Sequence, residues 1–165
     1  MSRVFVTGAA GFVGAGIVRQ LLARGHQVAA LSRGDAPRLD GLGAGLTLLR
    51  GDLQDLAALR PALEAFAPDS LVHAAWQGVF GDTRQSPAQA QNVQLSVDLA
   101  GLAADLGALR WVGIGSQAEY GPKDGAPSED AEALPNTQYG VAKLAAWRGM
   151  QRLAQERGAS LAWLR

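Results

Sequence analysis

The chain has 165 residues, enough for one domain or a large part of one, with 48% apolar and 18% charged residues. Fifteen basic and fifteen acidic residues cancel, so no net field recruits nucleic acid or an anionic membrane. No apolar run reaches the ~20 residues that span a bilayer, and the absence of cysteine excludes disulfides and thiolate metal sites.

The chain enters a strand directly, without the basic region and cleavage site of a signal peptide, so a cytoplasmic location is expected. Val4-Phe5-Val6 marks strand one, Arg3–Val6. After Thr7-Gly8-Ala9-Ala10-Gly11-Phe12-Val13-Gly14, the apolar spacing of Val13, Ile17 and Leu21 predicts a helix over Phe12–Ala23, closed by Gly25. Gln27–Leu31 reads as strand two, Ser32–Gly45 as a loop and Leu46–Leu49 as strand three. A helix is predicted over Leu56–Phe66, with Pro61 expected to kink or break it. Ser70–Ala74 is strand four and Gln77–Pro87 a polar loop. Ala88–Leu106 is a long helix with Leu95, Leu99, Leu102 and Leu106 along one side. Arg110–Ile114 is strand five, Ser116–Asn136 a loop, Thr137–Arg157 a helix stopped by Gly158, and Leu161–Leu164 strand six.

Strands alternating with helices imply β-α-β crossovers. The expected fold is α/β: a doubly wound parallel sheet of Rossmann type, with helices on both faces in three layers. Such sheets bind ligands beyond the carboxyl ends of their strands. The glycine turn stands at one of those ends. Gly8 would supply a tight turn, Gly11 a close backbone approach, and Gly14 close packing of helix on strand. The free N–H groups at the start of the helix, including those of Phe12 and Val13, would then hold a pyrophosphate. A purely structural turn is the plainer alternative.

The end of strand two would face the adenosine ribose, where a carboxylate suits a 2′-hydroxyl and a cation suits a 2′-phosphate. Here Ser32 and Arg33 follow Leu31, with no carboxylate before Asp35. Ser32 can donate a hydrogen bond and Arg33 can pair with the phosphate. That favours NADP over NAD, against the reading of Arg33 as a solvated loop residue. Asp52, followed by Leu53, closes strand three and can accept from the adenine amino group or cap the next helix. Ala74 and Ala75 are small enough for backbone to run along a cofactor, and Trp76 beside them reads as core or rim.

Tyr139 and Lys143 lie four residues apart on a helix, so both side chains share one face. An ammonium beside a phenol favours the phenolate and makes a proton shuttle. Ser116 follows strand five, at the edge where that helix would deliver its phenol. A hydroxyl there can hydrogen-bond a reacting oxygen, or merely cap the loop.

Taken in this order, Gly8/Gly11/Gly14, Ser116 and Tyr139/Lys143 resemble the extended short-chain dehydrogenase/reductase family, the NAD(P)-dependent sugar-nucleotide epimerases, dehydratases and reductases. Gly51-Asp52-Leu53, His73-Ala74-Ala75, Asn92-Val93, Gly115 to Gly121 and Tyr139-Gly140-Val141-Ala142-Lys143 extend the resemblance over the whole chain. It implies that Tyr139 is the general acid/base and that Lys143 binds the nicotinamide ribose and tunes Tyr139. Ser116 would orient the reacting oxygen, and Asn92 would sit near the active-site backbone. Family dehydratases carry Asp-Glu after the serine or threonine, where this chain has Gln117 and Ala118, which argues against dehydration. Family epimerases that retain NAD usually have Asp at the end of strand two, where Ser32 stands here.

The resemblance therefore implies an NADPH-dependent reductase of a keto-sugar nucleotide, with a nucleotide-sugar epimerase as the second reading. A non-catalytic dinucleotide-binding or redox-sensing module is the alternative from another class. Family members continue after strand six into a smaller domain that holds the nucleotide-sugar. On that pattern residues 1–165 are the NAD(P)-binding domain with the C-terminal substrate domain absent, expected by itself to bind dinucleotide weakly and turn over poorly. The family also commonly dimerises through helices matching 88–106 and 137–157. Leu99, Leu102 and Trp147 are candidate contacts of a homodimer, with core burial the alternative.

Overall fold

The computed structural model describes residues 1–165. Six strands form one sheet: β1 (Arg3–Thr7), β2 (Gln27–Ser32), β3 (Leu46–Arg50), β4 (Ser70–His73), β5 (Arg110–Ile114) and β6 (Ser160–Leu164). Their order is β3-β2-β1-β4-β5-β6, and every neighbouring pair is parallel. Four helices connect them: α1 (Phe12–Ala23), α2 (Leu56–Phe66), α3 (Gln89–Asp105) and α4 (Gln138–Arg157). The fold is the expected Rossmann-type sheet.

Alternation along the strands divides the core in two. Val4, Val6, Val28 and Ala30 point to one face and pack under Ala15 and Val18 of α1. Phe5, Leu31, Leu71 and Trp111 point to the other, beneath Leu63 of α2, Leu99 of α3 and Met150 of α4. Because both faces of β1 are covered, its sequence is a continuous apolar run rather than an alternating one. The strand order reverses between β1 and β4, which opens a crevice above their carboxyl ends.

Three expectations need correction. Pro61 does not break α2, which runs continuously from Leu56 to Phe66. An interior proline costs about 3 kcal/mol, whereas fully burying an apolar side chain gains about 1.5–3 kcal/mol, and α2 buries Leu59, Leu63 and Phe66. Leu99 and Leu102 lie in the core under α3, so neither is an interface contact. Trp147 is only half-buried, and the Arg165 guanidinium lies 4.5 Å from its ring centre. The three predicted loops also hold short 3-10 turns, at Pro37–Leu39, Gly81–Gln85 and Gln117–Glu119. No helix is long and apolar enough to cross a membrane.

Candidate active site

β1 delivers Thr7 to the crevice, and Gly8 turns the chain away with φ +67°. A Cβ on Gly8 would sit 2.6 Å from backbone atoms of Ala74 and Ala75, so this turn packs directly on the end of β4. A Cβ on Gly14 would collide with the Gly8 carbonyl. Gly14 therefore lets α1 close on the glycine turn itself rather than on the strand. Gly11 is the N-cap of α1 and provides no side-chain cap. The first-turn N–H groups of the helix, those of Phe12, Val13 and Gly14, have no intrahelical acceptor and carry the positive end of the dipole. The Phe12 and Val13 side chains are exposed, and neither lines the cleft beside the turn.

That cleft has a volume of about 470 Å³ and is bordered by Gly8 and Gly11 on one side. Ser32 and Arg33 enter from the end of β2, Asp52 and Leu53 from β3, Ala74 and Ala75 from β4, and Asn92 from α3. The Ser32 hydroxyl donates to the Gly34 carbonyl at 2.8 Å. Arg33 is largely exposed, its Nη1 4.0 Å from Asp52 Oδ2. Asp52 Oδ1 accepts from the Gln54 N–H at 3.0 Å, whereas the N-cap of α2 is Asp55, which accepts from Ala58 N–H. The capping role considered for Asp52 belongs to Asp55. Asp52 is the only carboxylate lining the cleft, and Asp35 faces Arg50 at 3.4 Å instead. A turn that excludes Cβ atoms, an uncapped helix start and a volume within the usual 300–1,000 Å³ range of ligand pockets all fit a dinucleotide.

Behind the cleft runs a buried hydrogen-bond relay. The Ser96 hydroxyl donates to the Asn92 carbonyl at 2.7 Å. Its oxygen must therefore accept from His73 Nε2–H, 2.9 Å away. That leaves His73 Nδ1 to accept from the Thr7 hydroxyl at 2.8 Å. Asn92 in turn clasps the Gln77 backbone, accepting from its N–H at 3.0 Å and donating to its carbonyl at 3.1 Å. Burial pushes the His73 pKa down to about 3, helped by the nearby Lys143 ammonium. The folded state thus keeps His73 neutral where the unfolded chain, with its ordinary value near 6.5, takes up a proton. Between these values the unfolded state binds more protons, so stability falls as pH drops through that window. His73→Gln is expected to flatten this acid limb by up to about 1.4 kcal/mol per pH unit. Urea titrations across the window check this, and an unchanged slope would count against it.

The proton-transfer candidates assemble on the other side of β4. α4 opens with Thr137, whose hydroxyl accepts from Gly140 N–H at 3.0 Å. Tyr139 and Lys143 follow on consecutive turns, both buried. A Cβ on Gly140 would strike the Ala118 carbonyl, so this glycine lets α4 close on the 117–119 turn that begins at Ser116. The Ser116 oxygen caps that turn, accepting from Ala118 N–H at 3.2 Å. The cap uses a lone pair and leaves the O–H free to donate. Lys143 Nζ donates to the Ile114 carbonyl at 2.6 Å. Burial lowers its pKa to about 8, against the opposing pull of the Glu119 carboxylate.

Three neighbours of this set were given no role by the sequence, and a fourth, Trp76, was read only as core or rim. The Trp76 ring lies 3.8 Å under Lys143 Nζ and meets Tyr139 edge-on at 6.1 Å. The Arg84 guanidinium covers the Tyr139 ring at 4.5 Å. Gln89 is buried and accepts from Trp76 Nε1–H at 2.8 Å. Glu119 is fully buried and accepts from Ser116 N–H, Trp163 Nε1–H and Arg165 Nε–H at 2.8–3.0 Å. Beside two small residues Trp76 read as core or rim, and the structure puts its ring against the lysine.

The family described as the NAD dependent epimerase/dehydratase family matches residues 4–165. The dTDP-6-deoxy-L-talose 4-dehydrogenase (NAD(P)(+)) of Kitasatospora kifunensis is 32% identical over 157 residues, 93% of this chain and 48% of that protein. The Bordetella bronchiseptica enzyme WbmG in complex with NAD and UDP superposes with a TM-score of 0.83 at 27% identity, covering 99% of this chain and 52% of that one. UDP-glucose 4-epimerase from Brucella ovis in complex with NAD gives 0.87 at 25% identity, covering 98% and 50%. The chain spans about half the length of each.

Proposed function

The chain belongs to the NAD-dependent epimerase/dehydratase family, and from that premise we propose that it serves an NADPH-dependent reduction of a nucleotide-linked keto-sugar. The observation that carries this reading is that Gly140 lets α4, with Tyr139 and Lys143 buried one turn apart, close on the turn that Ser116 begins, while Lys143 packs against Trp76 at the wall of the cleft. The first-turn N–H groups of α1 would hold the pyrophosphate. Ser32 and Arg33 meet the adenosine ribose, with Arg33 exposed enough to turn from Asp52 to a 2′-phosphate. Asp52, Leu53, Ala74, Ala75 and Asn92 line the path between. NADPH held there would supply the hydride that the carbonyl carbon takes up. Ser116 donates a hydrogen bond to the carbonyl oxygen, and the Tyr139 phenol delivers the proton that the oxygen needs as it becomes an alcohol. Lys143, anchored to the Ile114 carbonyl, keeps a positive charge beside that phenol.

The dehydrogenase name of the Kitasatospora relative, with its NAD(P)(+) specification, supports both the redox chemistry and the use of either cofactor. Gln117 and Ala118, with no carboxylate between them, do not supply the acid–base pair for eliminating water. An epimerase is the second reading, favoured by the likeness to the Brucella enzyme.

Calorimetric titration tests the cofactor assignment. NADPH should bind about tenfold tighter than NADH, a difference of about 1.4 kcal/mol that a charge-assisted contact supplies. Arg33→Ala should bring the two within about twofold. Equal affinities in the unaltered protein sink the 2′-phosphate argument. Net oxidation of NADPH by a keto-sugar nucleotide supports the reductase, whereas interconversion of epimers without net redox change moves the assignment to the epimerase.

A further inference from the structure

Trp76 lines the cleft, and the Lys143 ammonium packs against its ring. Lys143 is an ammonium out of water with one hydrogen bond, to the Ile114 carbonyl. Its remaining protons need partners, and the nearest is the face of the Trp76 indole, 3.8 Å from Nζ. A π-face at that distance attracts a cation and also keeps water from it. The same indole buttresses the Tyr139 ring edge-on at 84°.

The indole is itself held. Its Nε1–H donates to Gln89 Oε1 at 2.8 Å, and Asn92 Nδ2 donates to the same oxygen at 3.2 Å. Gln89 Nε2 faces the carbonyls of Gly78 at 2.7 Å and Thr83 at 3.0 Å. Gly78, at φ +72°, lets the loop come that close, since a Cβ there would stand 2.6 Å from Gln89 Nε2. A buried amide on α3 thereby sets the angle of a ring that touches both members of the α4 pair.

We propose that Trp76 is a positioning residue for Tyr139 and Lys143, with Gln89 fixing the indole as a dry platform beneath the lysine ammonium. The catalytic consequence rests on the reading of Tyr139 and Lys143 given above, but the platform itself does not. Other charged or titratable groups bear on Lys143 from each side. Glu119 acts from the 117–119 turn with Arg165 paired to it, neutral His73 from β4, and Tyr139 with Arg84 over its ring. Replacing Trp76 alone removes none of these charges.

Lys123 and Lys143 are the only lysines, so NMR of protein labelled at the lysine side chains follows Lys143 directly, with Lys123 as internal reference. In the unaltered protein Lys143 should titrate near 8. Trp76→Ala admits water, and its midpoint should rise by about one pH unit or more. Trp76→Leu stays dry but removes the π-face, and the midpoint should fall. Trp76→Phe restores a ring and should stay within a few tenths of the unaltered value. This pattern is not produced by a general loosening, which would shift all three in one direction. An unmoved midpoint in the Ala and Leu variants, or a Phe variant that behaves like Ala, overturns the proposal. If the Ala variant does not fold, the Leu and Phe variants decide alone. No cofactor or substrate is present, so the result stands whether or not the protein is a reductase.

Discussion

Tyr139→Phe is expected to lower turnover of a keto-sugar nucleotide by about 10²–10⁴-fold, the usual contribution of a positioned general acid. Dinucleotide affinity should stay within about twofold of the unaltered protein. The phenyl ring keeps its edge contact with Trp76 and its place under the Arg84 guanidinium. The structure shows no hydrogen bond from the Tyr139 hydroxyl to another residue of the chain, so its removal orphans nothing. Steady-state rates measured beside calorimetric binding separate the two effects. A variant that retains most of the rate would remove Tyr139 from the chemistry. A parallel loss of binding would mean that the phenol serves the cofactor rather than the proton.

Glu119→Ala should destabilise the fold by about 3 kcal/mol, the lower end of the range for removing one partner of a buried pair. The carboxylate is fully buried, while the Arg165 side chain retains 16% exposure, so water partly compensates the orphaned cation. Arg165 also lies over Trp147 and Tyr120 and donates to the Tyr120 hydroxyl at 3.2 Å. Hydrogen bonding and the charge of Glu119 hold its guanidinium above its ordinary pKa, against the cost of burial. The same substitution strips the acceptor from Ser116 N–H and Trp163 Nε1–H, loosening the turn that presents the Ser116 hydroxyl. The urea midpoint should therefore fall, with the m-value unchanged. A loss below about 1 kcal/mol would place this pair with ordinary surface ion pairs.

The fold was readable because each element carries its own local signal. Gly25 and Gly158 stop α1 and α4 in left-handed geometry, and apolar spacing marks the faces that meet the sheet. The Tyr139–Lys143 pair was readable because one helix turn brings it together, and Ser116 because the topology fixes which strand end it follows. Pro61 misled because a local penalty says nothing about the three side chains that α2 anchors in the core. Trp76, Gln89 and Glu119 were hidden for the opposite reason. Their partners lie 67, 13 and 46 residues away in the pairs Trp76–Lys143, Trp76–Gln89 and Glu119–Arg165. No period or motif links such positions; only packing of α3 and α4 on the sheet does. Asp52 lies between these cases, since a turn residue and a helix cap look alike three positions from Asp55.

The placement of β1 between β2 and β4 also has a temporal side. Its second edge pairs with a strand that begins 66 residues later, Val4 against Ser70. At synthesis rates of roughly 5–20 residues per second, the earliest strand waits about 3–13 s with that edge open. Its Val4-Phe5-Val6 core is then an unguarded template for other chains. The base of the crevice thus cannot close until β4 has been made, and nascent-chain yield should be more sensitive to delay before β4 than after it.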